Sequence, residues 1–138
     1  MTVRRTWACL MGLAIGCLTI GVLSAQGGNP EAAKLKNPVA VGQESIDAGG
    51  RIFQRNCSPC HGKDANGGPL TADLEDRGED PPPSLIDAKW LHGSSDGEIY
   101  FVIKNGVPPK MAMGPWDGRI ADTDIWNIVN YIRSLAKK

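Results

Sequence analysis

Cys57-Ser58-Pro59-Cys60-His61 is the stretch of this 138-residue chain whose residue types and spacing carry the clearest chemistry. Two thiols three positions apart can reach the two vinyl groups along one porphyrin edge, and each can add to a vinyl to give a thioether. The adjoining imidazole is then placed to coordinate iron from the proximal side as a neutral ligand. The run therefore reads as a covalent haem attachment site. Shuffling the chain's own composition yields it about twice in a thousand chains, so coincidence is a poor account.

Three other uses of these residues explain less. A structural disulfide between Cys57 and Cys60 gives His61 no task. A thioredoxin-like redox pair needs a β-α-β setting, and no strand pattern precedes Cys57. Zinc would need a fourth ligand beyond Cys57, Cys60 and His61, and His92 is the only other histidine.

The first 25 residues place the motif outside the cytoplasm. Arg4 and Arg5 precede an uncharged run from Trp7 to Leu23, followed by the small residues Ser24 and Ala25, the layout of a secretory signal peptide. Retention of the same run as a membrane anchor is the alternative, because its length falls just short of a spanning helix. Cys9 and Cys17 lie within it, which leaves Cys57 and Cys60 to the exported protein. Export also changes the charge: all 15 acidic residues follow position 25 and two of the 15 basic ones precede it, so the remainder carries −2. Such a balance has no electrostatic footprint for nucleic acid.

The elements that must position the motif are helical. Residues 26–43 show no sustained apolar period and read as a flexible N-terminal arm. A helix is expected from Ser45, as N-cap, to about Asn56. Ile46, Gly49, Gly50 and Phe53 share one face of it. Glycines weaken a helix, so two on a buried face imply close approach of another helix or of a flat ligand. From Lys63 to Pro83 the chain reads as a long loop with one helical turn near Thr71 to Glu75, of a length that suits wrapping a cofactor. Its acidic residues Asp73, Glu75, Asp76, Glu79 and Asp80 read as a solvated face, with docking of a basic partner as the alternative.

Ser95-Asp96-Gly97-Glu98 fits a capping box, followed by Ile99, Val102 and Ile103 on one face and a stop at Asn105-Gly106. Three prolines mark Gly106 to Asp117 as a loop. Asp122 is expected to cap a last helix in which Ile125, Ile128, Val129, Ile132 and Leu135 recur at helical spacing. The expected fold is all-α, with three to five short helices and the folded domain over 44–138.

These residues, taken in order, resemble the class I bacterial cytochromes c over Ala48 to Leu135. The resemblance rests on Gly49 and Phe53 before the motif, Cys60-His61-Gly62-Lys63-Asp64, the proline run before Ser84-Leu85, Gly97-Glu98-Ile99-Tyr100, Asn105-Gly106-Val107, and Ile125-Trp126 through Leu135. It implies first and last helices crossing at a glycine, with Ile128, Tyr131 and Ile132 packed across the contact. It also implies a proline carbonyl that accepts the second ring proton of His61, with Pro69 and Pro81 to Pro83 as candidates and the triple run preferred.

For the sixth iron ligand the chain offers Met111, Met113 and His92. In similar cytochromes the ligand stands three residues before an aromatic, which selects Met113 ahead of Trp116. The proline usual directly after that methionine is Gly114 here, so Met111 stays open. The resemblance further sets Trp116 beside a haem propionate. It implies a monomeric single-electron carrier with one haem c, exported or held at the membrane surface, that exchanges electrons with a dehydrogenase or an oxidase and catalyses no reaction of its own. The alternative is a haem-binding subunit of a dehydrogenase or a peroxidase-like haem enzyme.

Overall fold

The computed structural model describes residues 28–68, 73–74, 76–77, 81–88, 90–108 and 113–136. The expected signal peptide, Met111 and Pro69 lie outside them. Every regular element among the described residues is a helix: α1 Pro30–Ala33, α2 Gln43–Asn56, α3 Ser58–His61, α4 Asp96–Asn105 and α5 Asp122–Leu135. None is long and apolar enough to cross a membrane.

The two long helices, α2 and α5, cross at Gly49, and the side chain that is missing there is the reason. A methyl built on Gly49 would lie 2.9 Å from the Ile128 nitrogen and closer still to the Asn127 carbonyl. Only a residue without a Cβ lets the two backbones meet. Phe53, one turn further along α2, is buried with Ile125, Ile128, Val129 and Ile132 of α5. Tyr131 lies over Gly50 and packs its ring 5.3 Å from that of Phe53.

Ser45 does not cap α2. The helix starts two residues earlier, after Gly42, and the Ser45 side chain is buried in the crossing. Its hydroxyl donates to Asn127 Oδ1 at 2.7 Å and accepts from Asn130 Nδ2 at 2.8 Å. Short polar side chains satisfy a helix start and a buried amide equally well, and here the second use wins. Asp122 is likewise the first residue of α5, not its cap, and holds Lys104 of α4 at 2.7 Å.

The Ser95–Glu98 capping box forms as expected, with both reciprocal bonds present, and Gly106 ends α4 at φ +75°. Ile99, Tyr100 and Ile103 face the core, where Tyr100 stacks on Trp126 of α5 at 4.1 Å.

The segment before α2 is held to the rest of the domain over its described part. Asn29 caps α1, Ala32 is buried, and Asn37 donates to Asn130 Oδ1 at 2.9 Å. Side-chain amides and small residues dock this segment, so no apolar period announces it.

Candidate haem site

Helix α2 ends at Asn56 and Cys57 opens the single helical turn of α3, so the motif is an extension of the helix that packs on α5. Cys57 and His61 are half-buried, Cys60 is exposed, and the two thiols are free. After His61 the chain doubles back. Gly62 sits at φ +79°, where a Cβ would collide with the Gly67 carbonyl. Gly67 and Gly68 then donate to the carbonyls of His61 and Cys60 at 2.9 and 3.0 Å, which closes the last turn of α3. Ala65, fully buried, receives Leu85 N–H at 2.9 Å, and that bond brings the proline run back beside the motif.

The electrostatics favour neutral groups. Burial pushes the Cys57 thiol up to about 11, and the neighbouring Cys60 adds to the shift. A redox-active dithiol needs a stabilised thiolate, so the environment is wrong for thioredoxin-like chemistry. Burial also pulls His61 below the ordinary histidine value, against a smaller upward push from the Pro83 carbonyl. Neutral imidazole is the form that binds iron. Its Nδ1 is buried without a partner in hydrogen-bonding geometry. Pro83, the last of the three prolines, is the one whose carbonyl acts on this imidazole.

The distal candidates are held on α4. Val107 N–H donates to the Met113 carbonyl at 2.9 Å, and Trp116 N–H reaches the carbonyls of Ile103 and Lys104 at 3.2 Å. Met113 and Trp116 are half-buried and pack on the same buried cluster as Cys57, Leu85 and Ile86. Motif, proline run and methionine loop are thus gathered around one core. His92 is exposed in a turn before α4. A surface cleft walled by Pro30, Trp90 and Glu98 is separate, since no motif residue lines it.

These residues fit a haem. The free thiols three positions apart, the half-buried imidazole with its unpartnered Nδ1, and the half-buried apolar side chains around them are what a porphyrin would join, ligate and cover. No three His, Cys, Asp or Glu side chains among the described residues converge as a metal-holding group, which leaves the zinc reading without geometry. Sequence reasoning missed Arg119, whose guanidinium lies 4.2 Å over the Trp116 ring. It also missed the buried amides Asn127 and Asn130. Nothing in composition or periodicity marks any of the three.

Comparison with known proteins identifies the family. Residues 44–132 match the family model for cytochrome c oxidase, cbb3-type, subunit III. The cbb3-type cytochrome c oxidase subunit FixP of Bradyrhizobium sp. is 36% identical over 88 residues, 64% of this chain and 27% of that protein. Subunit CcoP of Rubrivivax gelatinosus is 32% identical over 111 residues, 78% of this chain and 30% of that protein. The chain therefore spans under a third of the length of these relatives. Among solved structures, a reducing HAO-like protein complex of Kuenenia stuttgartiensis aligns at TM-score 0.62 and 25% identity, covering 75% of this chain and 48% of that one. Cytochrome CL of Methylophaga aminisulfidivorans aligns at TM-score 0.52 and 27% identity, covering 66% and 55%. The chain belongs to the cbb3-type cytochrome c oxidase subunit III family, a c-type cytochrome domain of the class I kind, with haem c as its cofactor.

Proposed function

We propose that this protein is a single-electron carrier outside the cytoplasmic membrane, with one haem c bound through Cys57 and Cys60 and ligated by His61 and Met113. The observation that carries the reading is His61: a half-buried imidazole directly after the paired thiols, favoured in its neutral form by desolvation, whose buried Nδ1 has no partner in hydrogen-bonding geometry. Bound haem c would supply a one-electron Fe(III)/Fe(II) couple. Each thiol would add its S–H across a vinyl group, with sulfur going to one carbon and hydrogen to the other, so attachment consumes no electrons. His61 would hold the proximal side, with the Pro83 carbonyl accepting the second ring proton and fixing the tautomer. A thioether from Met113 would favour the reduced state relative to a second imidazole. Trp116, half-buried beside that loop, would border a propionate.

No catalytic group of the chain is needed for this task, and we assign it no reaction of its own. The relatives are oxidase subunits, so an oxidase is the partner we favour, met by a monomer either released after residue 25 or held by the uncleaved segment.

Covalent attachment is tested by acid-acetone extraction of protein made in a host that matures such cytochromes. Haem should stay with the chain, and the Cys57→Ala/Cys60→Ala pair should lose it. Met113→Ala should abolish the weak long-wavelength sulfur-to-iron band of the oxidised protein, whereas Met111→Ala should leave it. Extractable haem in the unsubstituted protein would overturn the attachment, and a band lost only with Met111→Ala would transfer the ligand.

A further inference from the structure

Lys104, in the last turn of α4, holds the chain that follows Met113 in two ways. Its carbonyl accepts from the N–H groups of Trp116 and Asp117, at 3.2 and 3.0 Å. Its ammonium stands 3.5 Å from Asp117 Oδ1 and donates to both carboxylate oxygens of Asp122, at 2.7 and 2.9 Å. It also reaches the Tyr100 hydroxyl at 3.3 Å, one turn back on the same helix. One side chain therefore joins the end of the methionine loop to the first residue of α5. The bond to Asp122, and next that to Tyr100, raise its pKa, so it stays charged well above neutral pH. Packing does less here. Gly114 and Gly118, on either side of Pro115-Trp116-Asp117, stand in open space where an added methyl would meet nothing within 4 Å.

We propose that Lys104 is a positioning residue for the sixth iron ligand, its ammonium clamping the methionine loop at Asp117 and so keeping the distal position closed to outside ligands. The proposal rests on the reading that Met113 supplies that ligand. A thioether is neutral and brings no charge attraction to Fe(III), so the loop that carries it decides how often it leaves. A loop that lifts would open a coordination position, the condition for ligand binding or peroxidase-like chemistry in place of electron transfer alone.

The test uses the full oxidised holoprotein with Lys104→Met, Lys104→Arg and Asp117→Asn, and imidazole as the outside ligand. With imidazole in excess, the rate at which the sulfur-to-iron band disappears reaches a limit set by loop opening. Lys104→Met and Asp117→Asn should keep the band at rest and raise that limiting rate by about two- to fivefold, the scale of a partly exposed ion pair. The double variant should open little faster than Lys104→Met, because both changes break one contact. Lys104→Arg should stay near the parent. Asp117→Asn should also quicken hydrogen exchange of the Val107 and Trp116 amides while leaving the denaturation midpoint in place.

An unchanged limiting rate in Lys104→Met would overturn the proposal. So would a faster rate in Lys104→Met that Asp117→Asn does not share, because the ammonium would then act only by joining α4 to α5. Loss of the sulfur-to-iron band in Met111→Ala instead of Met113→Ala is a different result, and it would remove the underlying site reading.

Discussion

Gly49→Ala is the substitution in which two opposed effects are large enough to measure against each other. Alanine in a helix interior is favoured over glycine by about 1 kcal/mol. At this position the new methyl would press on backbone atoms of Asn127 and Ile128, which cannot rotate away. Restoring an ordinary contact of ~3.5 Å means that α2 and α5 part by about 1 Å or more. Overpacking of this kind typically costs about 1–3 kcal/mol, and rigid backbone puts it toward the upper end. The same separation stretches the two buried bonds of Ser45 with Asn127 and Asn130, each worth about 1 kcal/mol. The balance is a net destabilisation of about 2–4 kcal/mol, or a fall in Tm of at least about 8 °C for a domain this small.

Gly50→Ala is the internal control. Its methyl would meet only the Tyr131 ring, 3.0 Å away, and a ring can shift. Denaturant titration of the two oxidised holoproteins should give a lower midpoint for Gly49→Ala and a nearly unchanged one for Gly50→Ala. Gly49→Ala as stable as the parent, or more so, would refute the crossing geometry, because the clash would then cost no more than the ~1 kcal/mol that the helix gains.

Three further outcomes follow from the contacts. Glu98 accepts from Ser95 Oγ and N–H at 2.7 and 3.0 Å, and these bonds hold its pKa below the ordinary value. Its stabilisation is therefore present above the unfolded carboxyl value and lost as pH falls through the lower folded one; unfolding midpoints measured from pH 7 downward should show the parent's advantage over Glu98→Gln shrinking below about pH 4. Asn37→Ala removes the bond to Asn130, at a loss of about 1–3 kcal/mol, and hydrogen exchange should quicken across residues 28–41 more than in α2. Ser95→Ala should destabilise by about 1 kcal/mol through loss of the cap on α4, seen as a lower denaturation midpoint with the same slope.

Much of this architecture was legible because it depends on local or single-residue signals. The thiol spacing, the Ser95–Glu98 box, the period of α5 and the glycine face of α2 each declare themselves within about four turns of chain. What escaped notice depends on partners far apart in sequence. Ser45 looks like a cap until Asn127 and Asn130 arrive from 82 and 85 residues away. Asn29 and Asn37 look like linker residues until α1 docks, and Arg119 looks like surface charge until a turn lays it on Trp116. Polar side chains carry no periodic signature, so their long-range roles cannot be read from composition.

The bonds from Val107 and Trp116 to either side of the methionine loop have a consequence for the rate of electron exchange. They hang Met113 on the end of α4; α4 packs on α5, α5 crosses α2, and α2 runs straight into Cys57 and His61. With Met113 as sixth ligand, both axial atoms would be mounted on one continuous frame. The protein dipoles around a haem held there, already set by folding, would have little to rearrange when an electron is gained or lost. Low reorganisation energy of this kind lets a carrier discharge during a short collision.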